Sequence, residues 1–447
     1  MLEHDGISPL VDTQTTRVED NRHLFATHSP FKAADDPIAL LHKILTHHVQ
    51  SPYSPLDPLK TFLNSPWFFD YVMEQVDHVT AHWYFKPTNH SRSHFLAGIV
   101  GRLPASYFSR WTTLVGIGII QSFLKGDLSH SSQHNFWLGY IEGSTKRELT
   151  HELAPREMRK RRSDWVHVSL MRAMIVQSTN VHQMLRIIAP TFLQVVYSDP
   201  TLWSKGCNPT YVPLSNILSS EVTELAFFAL MDCTCAMAFG VPQQIEYDTT
   251  IHSHLTGSPS HQWAHSTPAY FQLLFADINA CRDKSPAARD WREIEQQLLR
   301  WQSRPGEHTF TESWMMVAWY AVQESWRLAL LTYLYIAVCD TASDDPRIQS
   351  NVKQLLQVVG TVKSQGSSSA HVSFFVQYLI VGICARNETH RQLVRDKLLA
   401  SNETKLWIMR ASDFVPVLDH LWHGPAVEGR SIKWNDYMRS RQAVLPL

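Results

Sequence analysis

The chain has 447 residues, with 40 Lys+Arg against 41 Asp+Glu and a formal charge of −1, which excludes a surface built throughout to grip nucleic acid or anionic lipid. Hydrophobic residues make up 44% and charged residues 18%, enough apolar material for a core and less charge than the usual ~25%. Only 17 residues are Gly, which disfavours turn-rich β architectures and Gly-rich phosphate loops.

Residues 1–58 are polar and broken by Ser51-Pro52, Ser54-Pro55 and Asp57-Pro58, and read as a flexible N-terminal arm. Within it only Pro37 to Val49 has helical spacing. Ile38, Leu41, Leu45 and Val49 share a face, with Asp35 or Asp36 able to cap it, and His47 and His48 read as a solvated pair. Ser65-Pro66 then opens a helix in the favoured order of N-cap and first turn. Its stripe is Phe68, Tyr71, Val72 and Val76, extended by Val79 and Trp83. His78 and His82 stand four apart, a spacing that zinc sites use, but no third ligand is near and a surface face is the plainer reading.

Trp111 to Leu124 is apolar and carries Gly116 and Gly118, small residues that admit a neighbouring helix. Pro155 to Asp164 is the one dense basic run. Arg156, Arg159, Lys160, Arg161 and Arg162 form either a nuclear-import or nucleic-acid contact, or the solvated first turns of a helix that continues through Trp165, Leu170 and Ile175. Pro190 lacks an N–H, so it is expected to start or kink a helix, which Ser198-Asp199-Pro200 then stops. Glu221 to Gly240 is the next helix, ended by Gly240-Val241-Pro242. Leu225, Phe228, Ala229, Asp232 and Ala236 share one of its faces, and Asp232 is there as a structural hydrogen bond or as a site residue.

Residues 282–305 are charged with helical spacing, and Trp291, Leu298 and Trp301 form the buried edge. Trp314 to Cys339 is apolar on most faces and belongs at the centre. Gly366 to Ser369 marks a loop before a second central helix at Phe374. Arg391 to Leu399 is amphipathic, with Leu393, Val394, Leu398 and Leu399 expected inward and Arg391, Arg395 and Lys397 outward. A helix near Phe414 to Trp422 and a tail containing Trp434 and Tyr437 close the chain. The fold class is therefore all-α: a single large, multi-helix, bundle-like domain over 59–447 behind the arm.

Chemistry-bearing motifs are sparse. The chain has no Gly-x-Gly-x-x-Gly, P-loop, Gly-x-Ser-x-Gly elbow or His-Glu-x-x-His. Asp344-Asp345 is followed at once by Pro346, which makes the pair an N-cap and turn rather than a magnesium-holding helix face. Cysteines at 207, 233, 235, 281, 339 and 384 are too scattered for a disulfide framework, and Cys233 and Cys235 lack the second pair that a zinc site needs. A reducing compartment fits. No run approaches the ~18 apolar residues of a membrane span, so no membrane partner is expected. No catalytic, cofactor-binding or metal-ligating residue is assigned, and no cofactor is implied.

Several stretches, taken in order, resemble the fungal-specific transcription factor domain, the helical regulatory region that follows the binuclear zinc-cluster module in fungal regulators. They are Arg159 to Trp165, Ala189 to Trp203, Glu224 to Asp232, Gly240 to Pro242, Ile245 to Asp248, Glu324 to Tyr335, Phe375 to Ala385, and Leu418 to Trp422 with Trp434, spanning about residues 60 to 440. The resemblance implies a nuclear regulatory protein without catalytic residues. It would act through transcriptional co-regulators, a homo- or heterodimer partner, or a small-molecule effector. The zinc cluster uses six closely spaced cysteines beside basic residues, and no cysteine precedes Cys207, so direct DNA binding by this chain alone is not expected. The alternatives are a cytoplasmic helical scaffold, or an α-helical enzyme with an unrecognised pocket. A pocket, if present, is expected between the helices of Glu221 to Gly240 and Trp314 to Cys339.

Overall fold

The computed structural model describes residues 37–41, 43, 58–81, 84–85, 99–104, 107–125, 127, 129–175, 178–220, 222–251, 262, 265–303, 310, 312–362, 372–400 and 409–447. Most of the N-terminal arm lies outside them, as do His47, His48, His82, Trp83, Glu221 and the Gly366 to Ser369 loop. Residues 37–41 are helical. The chain divides into two compact units, Met1–Gln75 and Val76–Leu447.

The first unit holds α1 (Pro58–Leu63) and most of α2 (Pro66–Ala81). The Ser65 hydroxyl donates to the Phe62 carbonyl at 2.7 Å, so it pins the turn between the two helices. Phe62 packs edge-on against Phe68 and Tyr71, which confirms the stripe read from spacing.

The second unit is helical almost throughout its described residues, and all-α is the right class. It runs α3 (Tyr107–Lys125), α4 (Ser131–Glu148), α5 (Pro155–Ile175), α6 (Ser178–Tyr197), α7 (Leu214–Leu218) and α8 (Thr223–Phe239). Then come α9 (Ala269–Arg282), α10 (Trp291–Arg300), α11 (Ser313–Tyr333), α12 (Pro346–Gly360), α13 (Phe375–Cys384), α14 (Glu388–Leu399), α15 (Val415–His423) and α16 (Trp434–Val444). Two short strands, β1 (Val212–Pro213) and β2 (Tyr247–Asp248), pair in parallel with Val212 opposite Tyr247.

Two apolar cores result. The smaller joins α3, α4 and α5 through Val115, Ile119, Leu138, Ile141, Val168 and Met171. Gly116 permits that approach: a Cβ there would meet the Met171 sulfur at 3.0 Å. The larger core is centred on α8, whose residues are all buried except Thr223 and Phe227. A helix apolar on every face has to be enclosed, and α6, α9, α11, α13 and α16 supply residues of that core. Phe228 of α8 stacks on Phe192 of α6 with ring centroids 4.2 Å apart.

Three sequence expectations are corrected, and one is narrowed. Of the two placements expected for Pro190, at the start of a helix or within one, it takes the second, inside α6 on the exposed side. Residues 282–305 are not one helix: α9 ends at Arg282, and α10 begins only after Asp290, whose carboxylate caps the Arg292 N–H at 3.0 Å. In α14 the inward stripe is Arg391, Val394 and Leu398, while Leu393 and Leu399 are 41% and 53% exposed. Arg391 turns inward to donate to the Ala385 and Ala426 carbonyls, at 3.2 and 2.7 Å, which no leucine could do. Finally, the supposed tail is α16, and its Tyr437 is wholly buried.

Trp326, on α11, is 3% exposed, and its indole N–H donates to the Ser266 carbonyl at 2.8 Å. Trp326→Ala is expected to lower the unfolding free energy by about 3–5 kcal/mol. Chemical denaturation checks it; an unchanged midpoint would contradict the central packing of α11.

Candidate functional site

The polar groups of the second unit gather in three places: the start of α5, the carbonyl end of α8, and a recess where α8, α11 and α13 meet. Each is built by the elements just described.

At the start of α5 the basic run is helical, and its charges part company. Arg161 is 9% exposed and pairs with Glu148 at 2.7 Å, Asp164 at 3.6 Å and Glu157 at 3.7 Å. Arg159 pairs with Asp199 at 3.3 Å, beyond the end of α6. Arg156 and Lys160 are exposed and Arg162 is half-buried, and none of the three has an ion pair among the described residues. Two of the five cations are thus tied to acidic partners, and the other three are not, among the described residues. Deeper on α5, Asp164 accepts from Ser109 at 2.7 Å, and burial raises its carboxyl above the ordinary range despite that bond. Glu224, at the first turn of α8, pairs with Arg102 and accepts from Ser163. Burial opposes the Glu224 charge, but Arg102, His167 and Ser163 outweigh it and hold the carboxyl below its usual range. His167 itself is pushed down to about 4, by burial first and then by Arg102.

At the other end of α8, a left-handed Gly240 (φ 62°) stops the helix, as its sequence signature predicts. A Cβ there would also clash with the Met438 side chain. The N–H groups of Gly240 and Val241 donate to the Met237 and Ala236 carbonyls, and side chains supply further donors to this end of the helix. Arg282 donates to the Ala236 and Val241 carbonyls at 2.8 and 2.6 Å, and Tyr437 donates to that of Ala238 at 2.6 Å. Asn279 donates to the Cys233 carbonyl at 3.0 Å and accepts from the Tyr333 hydroxyl at 2.7 Å. A cation at a helix C-terminus also complements the helix dipole.

Asp232 is buried on α8 and accepts from the Gln244 N–H at 2.8 Å, the Tyr247 hydroxyl at 3.1 Å and the Ile245 N–H at 3.2 Å. All three donors sit on the segment leading into β2, so the carboxylate straps that segment to α8 and is a structural hydrogen-bond acceptor. Asp277 does similar work through Thr249, at 2.6 Å, and Arg289, at 3.0 Å. Cys233 and Cys235 are buried free thiols, and burial raises both above the ordinary thiol range. Among the described residues no group of three or more His, Cys, Asp or Glu is arranged to hold a metal ion.

The recess lies between α8 and α11, where a pocket was expected, with α13 as its third wall. It holds a small inner chamber with a cavity volume of about 20 Å³, room for one water-sized group. Leu230, Trp326, Phe375 and Val376 form apolar walls; Thr234, His265, Thr267, Ser373 and Gln377 supply the polar lining. Thr234 Oγ1, Gln377 Oε1 and His265 Nδ1 are buried without a hydrogen-bond partner among the described residues. Leaving such a group unmet costs about 1–3 kcal/mol, so three in one recess call for an explanation. Sequence reasoning missed these residues because Thr234 and Gln377 sit singly in apolar helices, where each reads as an isolated exception.

Burial pushes the Asp232 carboxyl up to about 7, against the pull of the Gln244 N–H, the Tyr247 hydroxyl and the Ile245 N–H. The folded chain therefore holds this proton to higher pH than the unfolded one, whose carboxyl titrates near 3.8. Asp232's contribution is fully present below about pH 4 and is lost as the pH rises toward about 7. Relative to Asp232→Asn, the parent chain is expected to lose up to about 1.4 kcal/mol of stability per pH unit across that window. Paired urea titrations check the sign; a gap that is flat with pH, or that grows in the parent's favour, would overturn it.

No curated protein matches the chain significantly. No solved structure matches it significantly either. Residues 225–446, from the first turn of α8 to the end of the chain, match a family model, a narrower span than the resemblance read from the sequence. The helical body organised around α8 in this chain belongs to the family of the fungal specific transcription factor domain.

Proposed function

We propose that the chain is a transcription regulator that acts in the nucleus through contacts with co-regulators or a dimerisation partner rather than through chemistry. The observation that carries this reading is the family match over residues 225–446. The side-chain geometry agrees with it: Asp232 and Arg282, on and beside α8, are engaged in holding chain segments and helix ends together. Among the described residues no helix is long and apolar enough to cross a membrane. Direct DNA contact is not part of the proposal.

Fusing the full chain to an unrelated DNA-binding module upstream of a reporter tests the regulatory role. A change in reporter output of about threefold or more, in either direction, is expected. Output equal to that of the module alone would overturn the reading.

Nuclear import through the start of α5 is tested separately. Arg161 and Arg159 are tied into ion pairs with neighbouring elements, so neutralising them mixes import with folding. The triple change Arg156→Gln, Lys160→Gln and Arg162→Gln leaves those pairs intact. It is expected to shift a fluorescently tagged chain from nucleus to cytoplasm. Unchanged nuclear accumulation would remove the import role from this helix, and a cytoplasmic distribution of the parent chain would remove the nuclear assignment.

A further inference from the structure

We propose that the recess between α8, α11 and α13 is a binding site for a small neutral molecule, recognised through a hydroxyl or amide group that enters the inner chamber. Three of the residues that line it each carry a buried atom with no partner among the described residues, Thr234 Oγ1, Gln377 Oε1 and His265 Nδ1. They come from two different helices and from the segment before α9, so one occupant is the simplest way to satisfy all three.

The hydrogen-bond directions define the occupant. Ser325 donates its hydroxyl proton to the Val322 carbonyl at 2.7 Å, so it has only lone pairs left for a neighbour. Gln377 must then turn its amide nitrogen toward Ser325, at 3.3 Å, which leaves Oε1 as a buried acceptor with no partner among the described residues. The Thr234 hydroxyl can donate or accept. Burial pushes the His265 imidazole down to about 4, so near neutral pH the ring is uncharged and Nδ1 joins in as a neutral donor or acceptor. The occupant must bring at least one O–H or N–H for Gln377.

Charge and size narrow the class further. Among the described residues no Asp, Glu, Lys or Arg lines the recess, so an ion entering it would lose hydration without gaining a counter-charge from them. The chamber of about 20 Å³ accommodates a single polar group, and the rest of the molecule would lie outward along Leu230, Trp326, Phe375 and Val376. Trp326 is held by its bond to Ser266, and the His265 ring stacks on Phe227 with centroids 4.8 Å apart. Two of the walls are thus fixed in place before anything binds.

Saturation-transfer NMR on the full chain tests the site, with 1-propanol and propionamide as probes and propionate and propylammonium as charged controls of the same length. Transfer to the two neutral probes and not to the controls is expected. Thr234→Val, which keeps the side-chain shape, is expected to weaken the neutral probes about tenfold, equivalent to about 1.4 kcal/mol, and Thr234→Ser to keep them bound. If the valine variant does not fold, Gln377→Met takes its place. No transfer to the neutral probes, equal transfer to the charged ones, or transfer unaffected by loss of the Thr234 hydroxyl would each overturn the proposal. So would a crystal structure showing one ordered water in the chamber that 1-propanol does not displace. The site does not depend on the regulatory reading, because binding is measured without a reporter.

Discussion

A helix enclosed on every side must end somewhere, and its last carbonyls must still find donors. That requirement, set by α8, organises much of the second unit. To this end of the helix α9 brings Arg282 and Asn279, and α16 brings Tyr437. Tyr333, from α11, bonds both to the guanidinium of Arg282 and to the amide of Asn279. Helices far apart in sequence are therefore fixed against one another by the polar needs of a single apolar helix. Side-chain packing alone, which is non-directional, would not select this one arrangement of three helices.

The same economy separates the structural polar groups from those left over. Asp232, Asp277, Arg282 and Arg391 are each bonded to backbone or to a neighbouring element, and they explain themselves as parts of the fold. Thr234 stands only two residues from Asp232 on α8, yet its hydroxyl has no such task. The contrast within one helix makes the recess stand out. Where Asp232, Asp277 and Arg282 serve the fold, the unmet trio lining one recess marks a different use.

The helices themselves were legible in the sequence because strong apolar periodicity and terminal signals agreed. Gly240-Val241-Pro242 ends α8, Asp345 caps α12 ahead of Pro346, and Asp199 caps the turn after α6. The errors came where a polar residue does core work. Arg391 reads as outward by charge, but it satisfies carbonyls from two separate segments, a need that pattern along one helix cannot reveal. The basic run at Arg156 to Arg162 looked uniform because the partners of Arg159 and Arg161 include Asp199 and Glu148, on elements outside α5. The recess was placed correctly between the helix of Glu224 and that of Trp326 from apolarity alone. Its polar residues were not legible, since they become a group only after α13 has packed.

The thiols carry a consequence of their own. Cys233, Cys235 and Cys384 lie wholly inside the larger core, whereas Cys207, Cys281 and Cys339 are partly accessible. Alkylation requires a thiolate that reagent can reach, so the two sets sample different openings of the molecule. Modification at Cys207 follows local breathing near β1, while modification at Cys233 waits until α8 itself is laid bare. The chain thus contains its own graded clock, in which the order of labelling separates the fraying of its margins from the collapse of its centre.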